Sequence, residues 1–171
     1  MLKRRRIVEL SLLGAVTATA GGAYLLLRKP EPVNPPQDIC FVAPTYSFDP
    51  ASGLALQDAR EVPVDARCPV CGMFPARHRK WAAQVIFSDG QVQFLDSPLD
   101  LFLFLQKVAH YSPGHQSDQI VAQYVASIED GRWLAAEQAV YVSASRLLGP
   151  MRSGNLPALD SVRAARAFIA K

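Results

Sequence analysis

Cys68-Pro69-Val70-Cys71-Gly72-Met73 places two thiols and a thioether within six residues. Two thiols three positions apart can reach one ion or each other, and three chemistries use that spacing. A structural zinc ribbon needs a second pair of Cys or His ligands. The chain has no second Cys-x-x-Cys, and His78, His110 and His115 stand at irregular distances from the first. A thioredoxin-like redox pair belongs at a helix N-terminus after a strand. Here the pair precedes a strand and hairpin, and Gly72 follows the second thiol directly. Copper(I) is the third chemistry, because soft thiolate and thioether ligands select it. Gly72 lets the backbone turn so that the Cys71 and Met73 sulfurs can converge. Met73 discriminates between the readings: disulfide exchange has no use for a thioether, whereas Cu(I) does. A core methionine is the competing role for Met73. A thiol-disulfide oxidoreductase and a zinc-stapled partner-binding module therefore stand beside a copper carrier.

Other residues carry less chemistry. His78 lies in the basic run Arg77-His78-Arg79-Lys80 and reads as a solvated loop side chain, with a third-ligand role as the alternative. His110 and His115 fall in a Pro-Gly loop and read as exposed. Met151, in Gly149-Pro150-Met151, is expected in an exposed loop, as a second soft ligand or a partner contact. Trp81 and Trp133 read as packing residues. No Ser-His-Asp set, paired carboxylates or metalloprotease helix is legible, so a hydrolase is not supported.

The elements that must position the thiols follow from patterning. Trp81–Phe87 has the β-branched and aromatic content of a strand. Asp89-Gly90 is a hairpin turn signal, and Val92–Leu95 is the returning strand. Asp96-Ser97-Pro98 supplies an N-cap and a first helical residue for an apolar helix to about Ala109. After a loop over 110–119 the order repeats. Ile120–Ile128 reads as a strand, Glu129–Arg132 as a turn, and Trp133–Ala135 and Ala139–Val142 as further extended segments. Leu147–Asn155 reads as a structured loop, and Asp160 or Ser161 caps a last helix. The expectation is an α+β fold of two small related strand-hairpin-strand-helix units, about 66–109 and 120–171, following an N-terminal apolar helix.

The chain has 171 residues, is 50% hydrophobic and 19% charged, and carries a formal net charge of +3. Lys3, Arg4, Arg5 and Arg6 account for the surplus, so a basic nucleic-acid surface is not supported. No Gly-rich phosphate loop occurs. Residues 10–27 contain no charge, and a run of that length after a basic cluster is a signal peptide or a membrane anchor. Apolar residues continue past the Ala18-Thr19-Ala20 cleavage candidate, which favours the anchor. Segment 1–29 is thus an export signal or anchor, with the remainder in the periplasm. Pro30, Pro32, Pro35 and Pro36 open a stiff linker, and 30–65 reads as linker and loop with one short strand near Phe41-Val42. Gln37-Asp38 before Cys40 does not suit lipidation, so Cys40 reads as a loop thiol.

The run Cys68–Met73, with Trp81-Ala82-Ala83-Gln84 and 90–97 after it, resembles the NosL family of nitrous oxide reductase accessory proteins. Trp133–Val142 and Gly149-Pro150-Met151 resemble that family's second half, and the likeness covers about 66–169. It implies an exported, non-enzymatic Cu(I) chaperone serving the copper centres of nitrous oxide reductase, partnered by that enzyme and its assembly machinery. It also implies two related ββα-type units. The soft-ligand motif carries onto Cys71 and Met73, with Cys68 as the further metal ligand. Many family members are lipoproteins; this chain departs from them in offering an apolar N-terminal segment instead.

Overall fold

A computed structural model describes residues 43–170. The expected N-terminal helix, Cys40 and the short strand near Phe41-Val42 lie outside the described residues. No helix among the described residues is long and apolar enough to cross a membrane.

The hairpin forms where its sequence signals stand. Strand β1 (Ala83–Phe87) and strand β2 (Val92–Leu95) pair antiparallel, with Ala83 opposite Leu95 and Ile86 opposite Val92. Gly90 turns the chain at φ +81°, and a Cβ there would lie 2.9 Å from Phe48 Cβ, so both conformation and space demand glycine. Trp81 and Ala82, expected to begin the strand, sit in the turn before it.

Helix α1 (Pro98–Gln106) follows at once. The Ser97 hydroxyl accepts the Asp100 N–H, and Pro98 occupies the first helical position. The helix breaks at Lys107 and resumes as a single turn, α2 (Val108–Tyr111), which takes up the first two residues of the expected loop. Strand β3 (Ile120–Ala126) then returns along β1, and β4 (Trp133–Ala135) pairs with β3. The result is one antiparallel sheet in the order β2-β1-β3-β4. The α+β class is as expected. The strands of the second segment divide, however: β3 and β4 extend the first hairpin's sheet. Only β5 (Val140–Tyr141) and the unanticipated β6 (Ala158–Leu159) make a second, two-stranded sheet. Ile128 N–H donates to the Ala158 carbonyl at 3.0 Å and joins the two sheets. Helix α3 (Val162–Ile169), capped by Ser161, packs on β5 and β6 through Ala165 and Phe168.

All residues of β1 and β2 are buried, because both sheet faces are covered. Alternation sends Ala83, Val85, Phe87 and Leu95 toward Leu101, Phe104 and Val108 of the helices. Ala82, Ile86, Val92 and Phe94 face Val62, Ala66 and Tyr46. Segment 43–65 is loop, apart from a 3-10 turn at Pro50–Ser52, yet it packs as a layer on the sheet. Tyr46 exchanges two backbone hydrogen bonds with Val92 at 3.0 and 2.9 Å, covering the open edge of β2. Cys68 belongs to the helix-side core cluster, which fixes where the thiol turn sits.

Candidate metal centre

The thiol turn closes on itself. Gly72 N–H donates to the Cys68 carbonyl at 2.8 Å, and Cys68 N–H donates to the Met73 carbonyl at 2.9 Å. Gly72 adopts φ +74°, which the first of these bonds requires and which side chains resist. Outside the turn, the Arg67 guanidinium donates to the Gly72 carbonyl at 3.2 Å. Arg67 and Arg77 both stand over the Phe74 ring, at 4.3 and 4.4 Å from its centroid. These contacts stiffen a six-residue loop that has no regular structure.

Cys68 is 1% exposed and anchored in the core, whereas Cys71 is half-buried. Both are free thiols. Their sulfurs and an Asp100 carboxylate oxygen all lie within 4.8 Å of one another. Among the described residues, this is the one such convergence of three Cys, His, Asp or Glu donors. The site lies against a surface depression lined by Arg67 and residues 68–72.

Asp100 is the residue that sequence reasoning missed. It is the third residue of α1, 29 positions from Cys71, and tertiary packing makes the contact. The Cys71 thiol points at Asp100 Oδ2 at 3.6 Å, and the Ser97 hydroxyl donates to the same oxygen at 2.9 Å. The available signal was Ser97-Pro98-Leu99-Asp100, a capping pattern whose acidic residue heads an otherwise apolar helix.

The electrostatics follow from burial and crowding. The hydrogen bond with Cys68, and then burial, hold the Cys71 thiol well above its ordinary range. Burial raises the Asp100 carboxyl, while hydrogen bonds from Ser97 and Cys71 oppose that shift. Asp96, fully buried just after β2, has no hydrogen-bond partner among the described residues for either oxygen. Burial, then the Asp100 charge, push it up to about 6, against a lowering by His78.

The remaining candidates distribute as follows. Met73 is half-buried and belongs to none of the core clusters; its carbonyl closes the turn. His78 is exposed and lines a depression with Trp81, Leu148, Gly149, Pro150 and Arg152. Met151 is exposed in the same loop, as expected. That loop reaches the α1 N-terminus, where Leu99 N–H donates to Asn155 Oδ1 at 3.3 Å. His110 is exposed, as expected. His115 is not: it is buried, stacked on Phe87 at 4.0 Å between ring centroids. Its ring nitrogens meet Ser112 Oγ at 3.0 Å and Asp89 Oδ2 at 3.1 Å. This is a Ser-His-Asp contact the sequence did not reveal. Ser112 is itself buried, so the arrangement latches the 112–115 turn to the β1–β2 hairpin rather than presenting a nucleophile.

The crystal structure of the copper chaperone NosL from Shewanella denitrificans superimposes on this fold with a TM-score of 0.53. The two share 21% identity, over 67% of this chain and 87% of that one. At that identity the likeness speaks for the fold. Comparison with curated proteins finds no match. The NosL family model matches residues 59–171, a span that holds the thiol turn, the hairpin, the capped helix and the second sheet, and the chain belongs to the NosL family.

Proposed function

We propose that this chain is an exported Cu(I) chaperone that supplies copper for assembly of the copper centres of nitrous oxide reductase. One observation carries the reading: two reduced thiols converge in a glycine-hinged turn that ends in Met73, half open to a surface depression. Family membership and the structural similarity to a protein described as a copper chaperone support it. Among the described residues, the Ser112-His115-Asp89 contact is a buried latch and does not compete with this reading.

In this reading Cys71 is the essential thiolate, Met73 its thioether partner and Cys68 the second thiol within reach. Copper is cargo. The Cys71 thiol loses its proton as the ion arrives, so loading releases a proton and strengthens as pH rises. A carboxylate is too hard to be a good Cu(I) ligand. Asp100 instead orients the Cys71 thiol and accepts its proton, which it then passes to solvent. The domain works in the periplasm, tethered by residues 10–27, and hands copper to the assembly machinery there.

A second reading has one observation in its favour. Asp100 gives the thiol pair a third, hard donor, and Zn²⁺ accepts sulfur and carboxylate together. Anaerobic metal titration under reducing conditions separates the two. The carrier binds about one equivalent of Cu(I) through sulfur. A preference for zinc, with loss of folding on chelation, would establish the structural module instead.

A further inference from the structure

Charge is unevenly divided along the described residues. Residues 43–142 carry seven Lys and Arg against eleven Asp and Glu. Residues 143–170 carry Arg146, Arg152, Arg163 and Arg166 against Asp160 alone. The same segment holds five of the nine exposed large hydrophobic side chains. The ion pairs among the described residues use Arg79, Arg132 and His115, and none uses Arg146, Arg163 or Arg166.

Helix geometry puts part of this chemistry on one face. Val162, Arg166 and Ile169 are spaced i, i+4 and i+7 along α3. Val162 is 57% and Ile169 64% exposed, while Ala165 and Phe168 face the second sheet. Ile169 and Phe168 also line a groove with Arg146 and Leu147, and Leu147 is 41% exposed. Apolar side chains set among arginines that form no ion pair among the described residues suit an anionic lipid surface: the apolar groups enter the headgroup boundary and the guanidiniums meet phosphate. The chain supplies the proximity. Its uncharged run ends at Leu27, and 15 residues separate it from the first described residue, Ala43. A segment of that length spans at most about 54 Å even when fully extended, so a tethered domain stays within reach of the bilayer.

We propose that the face made by Arg146, Leu147, Val162, Arg166 and Ile169 rests on anionic lipid, orienting the tethered domain against the membrane. The inference rests on the tether reading and not on copper binding. The test reconstitutes the full chain into nanodiscs of phosphatidylcholine alone or with phosphatidylglycerol, and follows amide hydrogen exchange. Exchange in 143–148 and 162–169 is expected to slow about threefold or more on the anionic discs only, with β1 and β3 unchanged. Arg146→Glu with Arg166→Glu should abolish that difference, with near-UV circular dichroism unaltered. Association with the discs without slowing, equal slowing on both lipids, or slowing that survives the double substitution would overturn the proposal while the tether stands. Failure to associate with either disc would overturn the tether and this proposal together.

Discussion

Helices α1 and α3 begin with the same device and do different things. Ser97 (φ −161°, ψ 163°) and Ser161 (φ −156°, ψ 157°) adopt nearly one conformation, and each side chain accepts the N–H three residues on. The third helical residue is Asp100 in α1 and Ala164 in α3. The first cap is buried and its hydroxyl also donates to the Asp100 carboxylate, which meets the Cys71 thiol. The second cap is near the surface and its helix shows Val162, Arg163 and Arg166 to solvent. The capping bond is thus a local element that ends a turn and starts a helix. What it contributes to chemistry depends on the residue it holds and on what the fold packs against that residue.

The largest expected effect tests whether the α1 side is a sulfur site at all. Cys71→Ser replaces the half-buried thiol by a hard oxygen and should abolish Cu(I) binding, a loss of about a thousandfold or more, measured by competition with a Cu(I) chelator. Retention of affinity would remove the contrast between the two helices.

Next come the flanking sulfurs. Met73→Leu keeps volume and apolarity, so thermal stability should hold while Cu(I) affinity falls about tenfold or more. Unchanged affinity would return Met73 to a packing role. Cys68→Ser should weaken binding less than either change. If it were the most damaging substitution, the pair of thiols would be the site and the thioether an onlooker.

Asp96 tests the electrostatic cost of the α1 region. Its folded-state value of about 6 lies above the ordinary carboxylate value near 4. The folded protein therefore holds a proton that the unfolded chain releases in that window. Stability from this group is complete below about pH 4 and is lost as pH rises through about 6. Asp96→Asn should flatten the pH dependence of denaturant midpoints between pH 4 and 7 and stabilise by about 1–2 kcal/mol at pH 7. Loss of stability at pH 7 would show that the charged carboxylate finds a stabilising partner.

The smallest effects compare the third helical residue directly. Asp100→Asn keeps the shape and removes the proton acceptor. Cu(I) affinity at neutral pH should change by less than about tenfold, and proton release on loading should move to lower pH, because the Asp100 charge helps to hold the Cys71 thiol up. Ala164→Asp gives α3 the same cap-and-acid pattern without thiols nearby. It should leave copper binding untouched and add about 0.3–1 kcal/mol through the helix dipole, read from thermal unfolding. A change in copper affinity from Ala164→Asp would show that the two capped helices are coupled.

Local chemistry was legible in the residues. Asp89-Gly90 turns the hairpin, Ser97-Pro98 and Ser161 start helices, and Cys68–Met73 is a closed loop hinged at Gly72. Each of these depends on backbone conformations and hydrogen bonds spanning a few residues, which sequence states directly. The α+β class followed from the same signals. The family likeness read from the thiol motif is upheld by the match over 59–171.

What the sequence left open required contacts between distant residues. Asp100 joins the thiols across 29 positions, and an acid in a helical cap looks alike whether or not a sulfur faces it. His115 stood in a Pro-Gly loop and read as exposed, but Phe87 and Asp89, 28 and 26 positions away, bury it. β3 pairs with β4 of its own segment on one edge; its other edge pairs with β1 because both faces of that central strand are covered, and a buried strand must satisfy its backbone on both edges. Sequence determines which side chains a turn or cap offers, since those forces act over one or two turns of chain. The closure of the sheet and its layers decides which of them meet, because burial and long-range pairing are properties of the whole fold.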